Sequence, residues 1–363
     1  MRIGSVLGVP IFLTPSWFVF AAFIILTYGP ALEGQVGQSK AYLASTSFAV
    51  LLGLSVLLHE IGHCVVARAF QLPVRSITIS LIAGATEITE PPQTPRREFL
   101  VAVVGPMVSL VLCLLGLGAI PLFDRGGLAR IVVEGVAITN GVVAGFNLLP
   151  GLPLDGGRVL RAAVWHFRGD AQRATVISAW AGRVVGLVLV PLVLLVVLPA
   201  VGLGGRSVGS IVFAGLLGAF VYAGATASLR RAEVQKRLPL VTVRGLARPA
   251  LTVRSDTPVS EAVRRVQEAG ARGLVVVDAA DRPEAVVSEA AVTALPESRR
   301  PWVAIGTLAR RLTDEMVLDA DLVGEELLSA MRRAPSPEYV VRDSVTGALG
   351  VLSAADVANA VTS

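Results

Sequence analysis

Two of the three histidines in this chain lie four residues apart, in the sequence Leu57-Leu-His-Glu-Ile-Gly-His63. On an α-helix of about 3.6 residues per turn, His59 and His63 share one face and Glu60 borders both. Two imidazoles so placed can bind one metal ion, and the neighbouring carboxylate can take a proton from a metal-bound water. The H-E-x-x-H pattern therefore predicts a zinc site with His59 and His63 as ligands and Glu60 as general base. A chance match to two core histidines is the alternative.

The pattern lies inside a hydrophobic stretch that runs from Phe48 to Ala67, and the first strong charge after it is Arg68. Ionisable residues within a membrane span are costly and tend to mark functional sites. A composition of 53% hydrophobic and 16% charged residues is also too apolar for an ordinary soluble domain. Six spans are predicted, the first retained and not cleaved as a signal peptide: Phe12–Tyr28, Ala44–Ala67, Phe99–Leu122, Ile131–Leu149, Val184–Leu203 and Ile211–Leu229.

Arginine is concentrated at 68–97, 158–183 and 230–237 and is scarce in the polar loop predicted at 29–40 and in the loops at 123–130 and 204–207. By the positive-inside tendency, both ends of the chain face the cytoplasm. The net charge of +5 then reflects membrane orientation, and we expect no nucleic-acid partner. The arginine-rich, lysine-poor composition suggests a GC-rich bacterial genome, so the predicted location is a bacterial plasma membrane.

Residues 74–88 alternate apolar and small polar side chains and include Gly84, which favours a short β-hairpin at the membrane edge. The hairpin is too short and polar to span a bilayer. Its free edge could pair with an extended peptide. A plain connecting hairpin is an equally good interpretation.

Catalytic zinc sites commonly use three protein ligands, and Asp155 is the favoured third ligand. It follows a helix-breaking stretch, Pro150-Gly-Leu-Pro153, and precedes two glycines that permit close backbone approach. Irregular backbone at membrane depth is expected to line a site or to be buried in protein. His166 lies among residues typical of a membrane interface and is disfavoured as a ligand. The alternative is that Asp155 only caps the next helix.

His59-Glu-Ile-Gly-His63, followed by Asn147-x-x-Pro150-x-x-x-Leu154-Asp155-Gly156 on a later span, resembles the site-2 protease family of intramembrane zinc metalloproteases. The resemblance covers about residues 1–230. It implies one zinc ion per chain held by His59, His63 and Asp155, Glu60 as general base, and Asn147 near the substrate or its oxyanion. It implies cleavage of a membrane-bound, single-span substrate such as a regulator. Thr14 departs from the pattern, since relatives often carry histidine there.

Residues 243–297 and 305–362 repeat one pattern of strand, helix, two strands and helix, at an offset of 62 to 65 residues. The pair resembles tandem CBS domains, which often bind adenine nucleotides between their copies. Ser353 and Asp356 match the ribose-contacting pattern of that family, whereas the first copy has Ala291 in place of the aspartate. Helix capping by Ser353 and Asp356 is an equally good interpretation.

The predicted fold is a polytopic α-helical membrane protein with a short β-hairpin, followed by a soluble α/β tandem CBS-type domain. The predicted boundaries are 1–230 for the metalloprotease domain, 231–242 for a linker and 243–363 for a cytoplasmic CBS pair that modulates activity and forms homo-oligomers. A CBS-regulated transporter or channel, and a catalytically inactive relative that binds membrane clients, are the alternative functions.

Overall fold

The computed structural model describes residues 1–80, 84–197, 199, 208–343, 347 and 349–362. The chain divides into two compact units, Met1–Ala232 and Glu233–Ser363. The helix Val208–Arg237 runs through the predicted boundary at residue 230 and into the predicted linker. The limits of the linker therefore remain a prediction.

The first unit is built mainly from long apolar helices. Among the described residues, six helices are long and apolar enough to cross a membrane, which agrees with the predicted six spans. The helices of this unit are α1 Pro15–Val36, α2 Gln38–Ala69, α3 Pro95–Ala119, α4 Leu128–Asn147, α5 Asp155–Arg168, α6 Ala171–Val184 and α7 Val208–Arg237. The α6 helix continues through π-helical and α-helical turns, and the candidate span it begins ends at Val196.

The prediction of a polar loop at 29–40 is wrong. Helix α1 continues to Val36, and α2 begins at Gln38 after a single break at Gly37, whose φ is +78°. Leu32 is buried against Ala41 and Ala44 of α2 and Val132 of α4, so packing between helices extends α1 beyond the apolar run. The arginine-rich segment is likewise mostly helical, and the fifth span begins at Ala171, not at Val184.

A four-stranded sheet accompanies the helices, in the order β1 Arg2–Val6, β2 Val9–Leu13, β3 Val74–Ile79 and β4 Gly84–Ile88. The predicted hairpin is thus present as β3 and β4, although its turn at 81–83 lies outside the described residues. The prediction that the first span starts at Phe12 is wrong, because residues up to Leu13 form strands and α1 starts at Pro15. The loop predicted at 204–207 and the end of the predicted fifth span also lie outside the described residues.

One face of this sheet lies on α2. Ile77 of β3 is fully buried and clusters with Val9 and Ile11 of β2 and with Cys64 of α2. Strand β2 pairs in parallel with β3, and β4 pairs antiparallel with β3. Within the described residues β4 is an edge strand, because β3 is its only neighbour in the sheet.

The second unit contains the two predicted copies in one seven-stranded sheet. The first copy comprises β5 Arg248–Arg254, α9 Val259–Ala269, β6 Gly273–Val277, β7 Pro283–Val287 and α10 Glu289–Ala294, preceded by the short helix α8 Val243–Leu246. The second comprises β8 Ala309–Arg311, β9 Val317–Asp319, α11 Gly324–Arg333, β10 Glu338–Arg342, β11 Leu349–Ser353 and α12 Ala354–Thr362. Antiparallel pairing of β5 with β11 joins the copies.

Candidate active site

His59 and His63 lie on one buried face of α2 and point at Asp155, the first residue of α5. The Nε2 atom of His59 lies 3.1 Å from Asp155 Oδ2, and that of His63 lies 3.2 Å from the same oxygen. All three side chains are largely buried, with Asp155 14% exposed. Residues 96 positions apart in the chain therefore bring three metal-binding atoms together.

The spacing of these atoms suits zinc. In a tetrahedral site with bonds of about 2.0–2.1 Å, neighbouring ligand atoms are roughly 3.3 Å apart. The carboxylate oxygen is close to that distance from both imidazole nitrogens. Two imidazoles and one carboxylate also match a common catalytic zinc ligand set that leaves a position for water.

Hydrogen bonds from α3 orient both rings. The Nδ1–H of His63 donates to the backbone oxygen of Val101 at 2.6 Å. His59 Nδ1 lies 2.9 Å from Ser109 Oγ, and it donates to that oxygen when Nε2 is left free for a metal. Bonds of this kind fix the ring orientation and the tautomer of metal-binding histidines.

Gly105 of α3 leaves open the space between the two rings. A Cβ atom at this position would lie 2.2 Å from His63 Nε2 and 2.5 Å from His59 Nε2. It would therefore occupy the place of an ion bound by both nitrogens. Only glycine keeps that place free, so the donor set and the empty volume both fit zinc.

Glu60 completes the cluster from α2. Its carboxylate and the nitrogens of His59 and His63 lie within 4.8 Å of one another. The side chain is buried, and Thr86 Oγ1 on β4 donates to Glu60 Oε2 at 2.6 Å. The edge strand of the sheet thus contacts the predicted general base.

Close backbone packing brings Asp155 to this depth. A Cβ on Gly156 would lie 2.3 Å from the carbonyl oxygen of Leu148, and one on Gly157 would lie 2.1 Å from the backbone of Gly151. The start of α5 is therefore pressed against the loop that precedes it, as the two glycines predicted. Gly182 of α6 packs equally closely against Leu152 from the other side.

An ion-pair cluster joins α5 to α3. Glu98, near the start of α3, is 2% exposed, and its Oε1 lies 3.2 Å from both Arg158 Nε and Arg161 Nη1. The two arginines follow Asp155 by one and two helical turns. The cluster therefore fixes the helix that carries the third ligand.

The other residues of the first unit that the sequence analysis considered are Asn147 and His166. Asn147 is the last residue of α4 and is half-buried, and its role near the substrate remains a prediction. His166 is exposed near the far end of α5, about 16 Å along the helix from Asp155, which agrees with its exclusion as a ligand.

Ser353 and Asp356 line a cavity of about 980 Å³ in the second unit. Arg248 forms an ion pair with the Asp356 carboxylate at 2.7 Å and a second one with Glu289 at 3.1 Å. Ser353 Oγ accepts a hydrogen bond from the backbone N–H of Ala355 at 3.3 Å, at the start of α12. These contacts support the capping interpretation of Ser353, while nucleotide binding remains a prediction.

The sequence reasoning missed the residues that support the ligands: Gly105, Ser109, Thr86 and Glu98. One signal was available, because Val101, Gly105 and Ser109 recur every four residues and so share one face of α3. Nothing in the local sequence connects Thr86 with Glu60.

Comparisons with known proteins find relatives of both parts of the chain. The model of peptidase family M50 matches residues 47–136 and 123–193, and that of the CBS domain matches residues 243–295. A protein of Synechocystis sp., provisionally named a zinc metalloprotease, is 28% identical over 98% of this chain and 94% of its own length. Rip3 of Mycobacterium tuberculosis, named in the same way, is 37% identical over 61% of this chain, which spans 56% of Rip3. A solved site-2 protease from Methanocaldococcus jannaschii aligns with a TM-score of 0.46 and 25% identity, over 63% of this chain and 95% of that one.

Proposed function

We propose that this chain hydrolyses peptide bonds within transmembrane segments of membrane-protein substrates. Its membrane part matches the model of peptidase family M50, the site-2 protease family, and its relatives are named zinc metalloproteases. The observation that supports this most directly is the meeting of two imidazoles, one carboxylate and a separate buried glutamate around a space that only a glycine leaves open.

Each residue has a distinct role in the proposed reaction. His59, His63 and Asp155 would hold one zinc ion, which when bound supplies a Lewis acid that polarises water and the substrate carbonyl. Glu60 takes a proton from the attacking water and later gives it to the leaving amine. We propose Asn147, the last residue of α4, as the donor of a hydrogen bond to the developing oxyanion.

Substrate recognition would use the free edge of β4. A helical peptide bond is shielded by its own hydrogen bonds, so the substrate must become extended before hydrolysis. An extended segment can add to an exposed sheet edge through backbone hydrogen bonds. Strand β4 supports this role because β3 is its only sheet neighbour in the part of the chain that the structure describes, and because it carries Thr86, which contacts Glu60.

The same geometry counts against the alternative functions. A transporter or channel would use polar residues to line an ion path, whereas here the histidines converge on one aspartate and are oriented by Ser109 and Val101. A catalytically inactive relative that only binds membrane clients would not require three zinc ligands together with the buried carboxylate of Glu60. We infer hydrolysis for this reason.

The finer features of the proposal concern placement and regulation. We propose that the chain lies in a bacterial plasma membrane with its C-terminal unit in the cytoplasm, and that its clients are single-span membrane-bound regulators. The CBS-type pair would modulate cleavage and form homo-oligomers. An adenine nucleotide entering its cavity would have to compete with Arg248 for Asp356.

The proposal is tested with the purified full chain, a single-span test substrate in liposomes, and the variant Glu60→Gln. We expect one zinc ion per chain in both proteins, and cleavage by the wild type that Glu60→Gln reduces by at least roughly 100-fold, the usual contribution of a general base. Glu134→Gln is the matched control, since Glu134 of α4 pairs with Arg130.

Two results would refute hydrolysis by this site. One is wild-type protein that carries zinc and cleaves no membrane substrate. The other is cleavage by Glu60→Gln at the wild-type rate, which would place the activity elsewhere or in a contaminant.

A further inference from the structure

Strand β4 fixes the Glu60 side chain at two points. Thr86 Oγ1 lies 2.6 Å from Glu60 Oε2 and 3.1 Å from the backbone oxygen of the same residue. Two residues earlier on the strand, a Cβ on Gly84 would lie 2.4 Å from Glu60 Cγ and 2.5 Å from its Oε1. The carboxylate is therefore hydrogen-bonded on one side and confined by backbone on the other.

The sheet holds Thr86 in this place. Thr86 stands opposite Ile77 in the antiparallel pair, and opposite residues project from the same face of a sheet. Ile77 is fully buried against Cys64 and Ile61 of α2. The packing of Ile77 on α2 thus fixes which face of β4 meets Glu60, and the hydroxyl of Thr86 is directed by the sheet and not by a loose loop.

We propose that Thr86 is a positioning residue for Glu60, which it holds toward the space between His59 and His63 in the orientation that a general base requires. This inference rests on the proposed function. It adds that the strand proposed to bind the substrate also sets the geometry of the base. Gly84 is part of the same device, since it leaves room for the carboxylate.

The test uses three substitutions in the full chain. Thr86→Val keeps the shape and branching of the side chain and removes the hydroxyl. Thr86→Ser keeps the hydroxyl. Thr78→Val is the matched control, because Thr78 pairs with Ala85 and so projects from the opposite face of the sheet to Thr86.

We expect Thr86→Val to keep one zinc ion per chain and the KM of the wild type, while kcat falls roughly ten- to a hundredfold, the size expected for loss of a hydrogen bond to a carboxylate. Thr86→Ser should recover most of kcat, and Thr78→Val should match the wild type. Gly84→Ala should lower kcat as well, because its methyl group displaces the Glu60 carboxylate.

A readout independent of activity is the position of Glu60 in experimental structures of the wild type and Thr86→Val. We expect the carboxylate to lie within hydrogen-bond distance of Thr86 in the wild type and to adopt another rotamer in the variant. The proposal is overturned if Glu60 keeps its place in Thr86→Val, if kcat is unchanged, or if Thr86→Ser fails as completely as Thr86→Val. Absence of cleavage by the wild type would instead refute the proposed function, and the structures would still decide the role of Thr86.

Discussion

Replacing Gly105 by alanine should abolish zinc binding while leaving the fold in place. The added Cβ would lie 2.2 Å from His63 Nε2 and 2.5 Å from His59 Nε2, whereas ordinary van der Waals contact begins at 3.4 Å. To restore that distance, the two nitrogens must retreat by about 1.2 Å and about 0.9 Å. Zinc–nitrogen distances tolerate changes of only about 0.2 Å, so both ligands are displaced several times too far.

Loss of hydrogen bonds around metal ligands alone typically costs 10- to 100-fold in affinity. Gly105→Ala displaces two ligands directly, so we expect its zinc affinity to fall by more than roughly 100-fold. The matched control is Gly118→Ala on the same helix, since a Cβ there meets no atom within 4 Å. Both changes replace glycine with a better helix former, so helix propensity does not separate them.

The assay is competitive titration of zinc against a chelator with the purified full chain, followed by thermal unfolding of the metal-free proteins. Gly118→Ala should bind zinc like the wild type. Gly105→Ala should bind little zinc, with unfolding of the metal-free protein shifted by no more than the roughly 1–3 kcal/mol that overpacking costs. Wild-type zinc affinity in Gly105→Ala would refute the assignment of the space between the two histidines to the metal.

Two further predictions follow from buried acids. Glu98→Ala should lower the free energy of unfolding by about 3 kcal/mol, because it leaves the guanidinium groups of Arg158 and Arg161 partly buried without their shared partner. It should also weaken zinc binding, since these arginines are on the helix that carries Asp155. Zinc affinity equal to that of the control Glu134→Ala would contradict the proposal that this ion-pair cluster holds Asp155 in place. Burial raises the pKa of Glu338 above its ordinary value of 4.5. The hydrogen bond that its carboxylate accepts from the Glu289 backbone N–H lowers the pKa, but by less. A raised folded pKa means that the contribution of Glu338 to stability is fully present below pH 4.5 and is lost as the pH rises through the folded pKa. Glu338→Gln should therefore slow amide hydrogen exchange of β10 at pH 7 and have no effect near pH 4; equal effects at both values would contradict this.

The sequence predicted the reactive residues better than their supports. His59, Glu60 and His63 are close in sequence, and helical periodicity alone brings them together. The helix-breaking stretch before Asp155 predicted a buried site because irregular backbone is costly at membrane depth. In each case a few consecutive residues are enough to recognise either the metal-binding side chains or the energetic cost of irregular backbone in a membrane.

Other features could not be predicted from local pattern. Strand β2 was missed because residues 9–13 are as apolar as the span that follows, and only pairing with β3 distinguishes them. The continuation of α1 through residues 29–36 depends on packing of Leu32 against other helices. Contacts such as that of Thr86 with Glu60 depend on the register between a strand and a helix 26 residues apart in the chain.

The metal site is best understood as the meeting of two complementary helix faces. Along α2 the order is His59 then His63, and their partners on α3 run in reverse, Ser109 then Val101. Reversed order is what antiparallel neighbouring spans require, and it places Gly105 opposite the gap between the histidines. Two histidine ligands in a bilayer need hydrogen-bond partners for their Nδ1 atoms and empty space for a metal ion beside their Nε2 atoms. Residues spaced by four on the facing helix meet both needs at once, so the third span is as much a part of the predicted zinc site as the second.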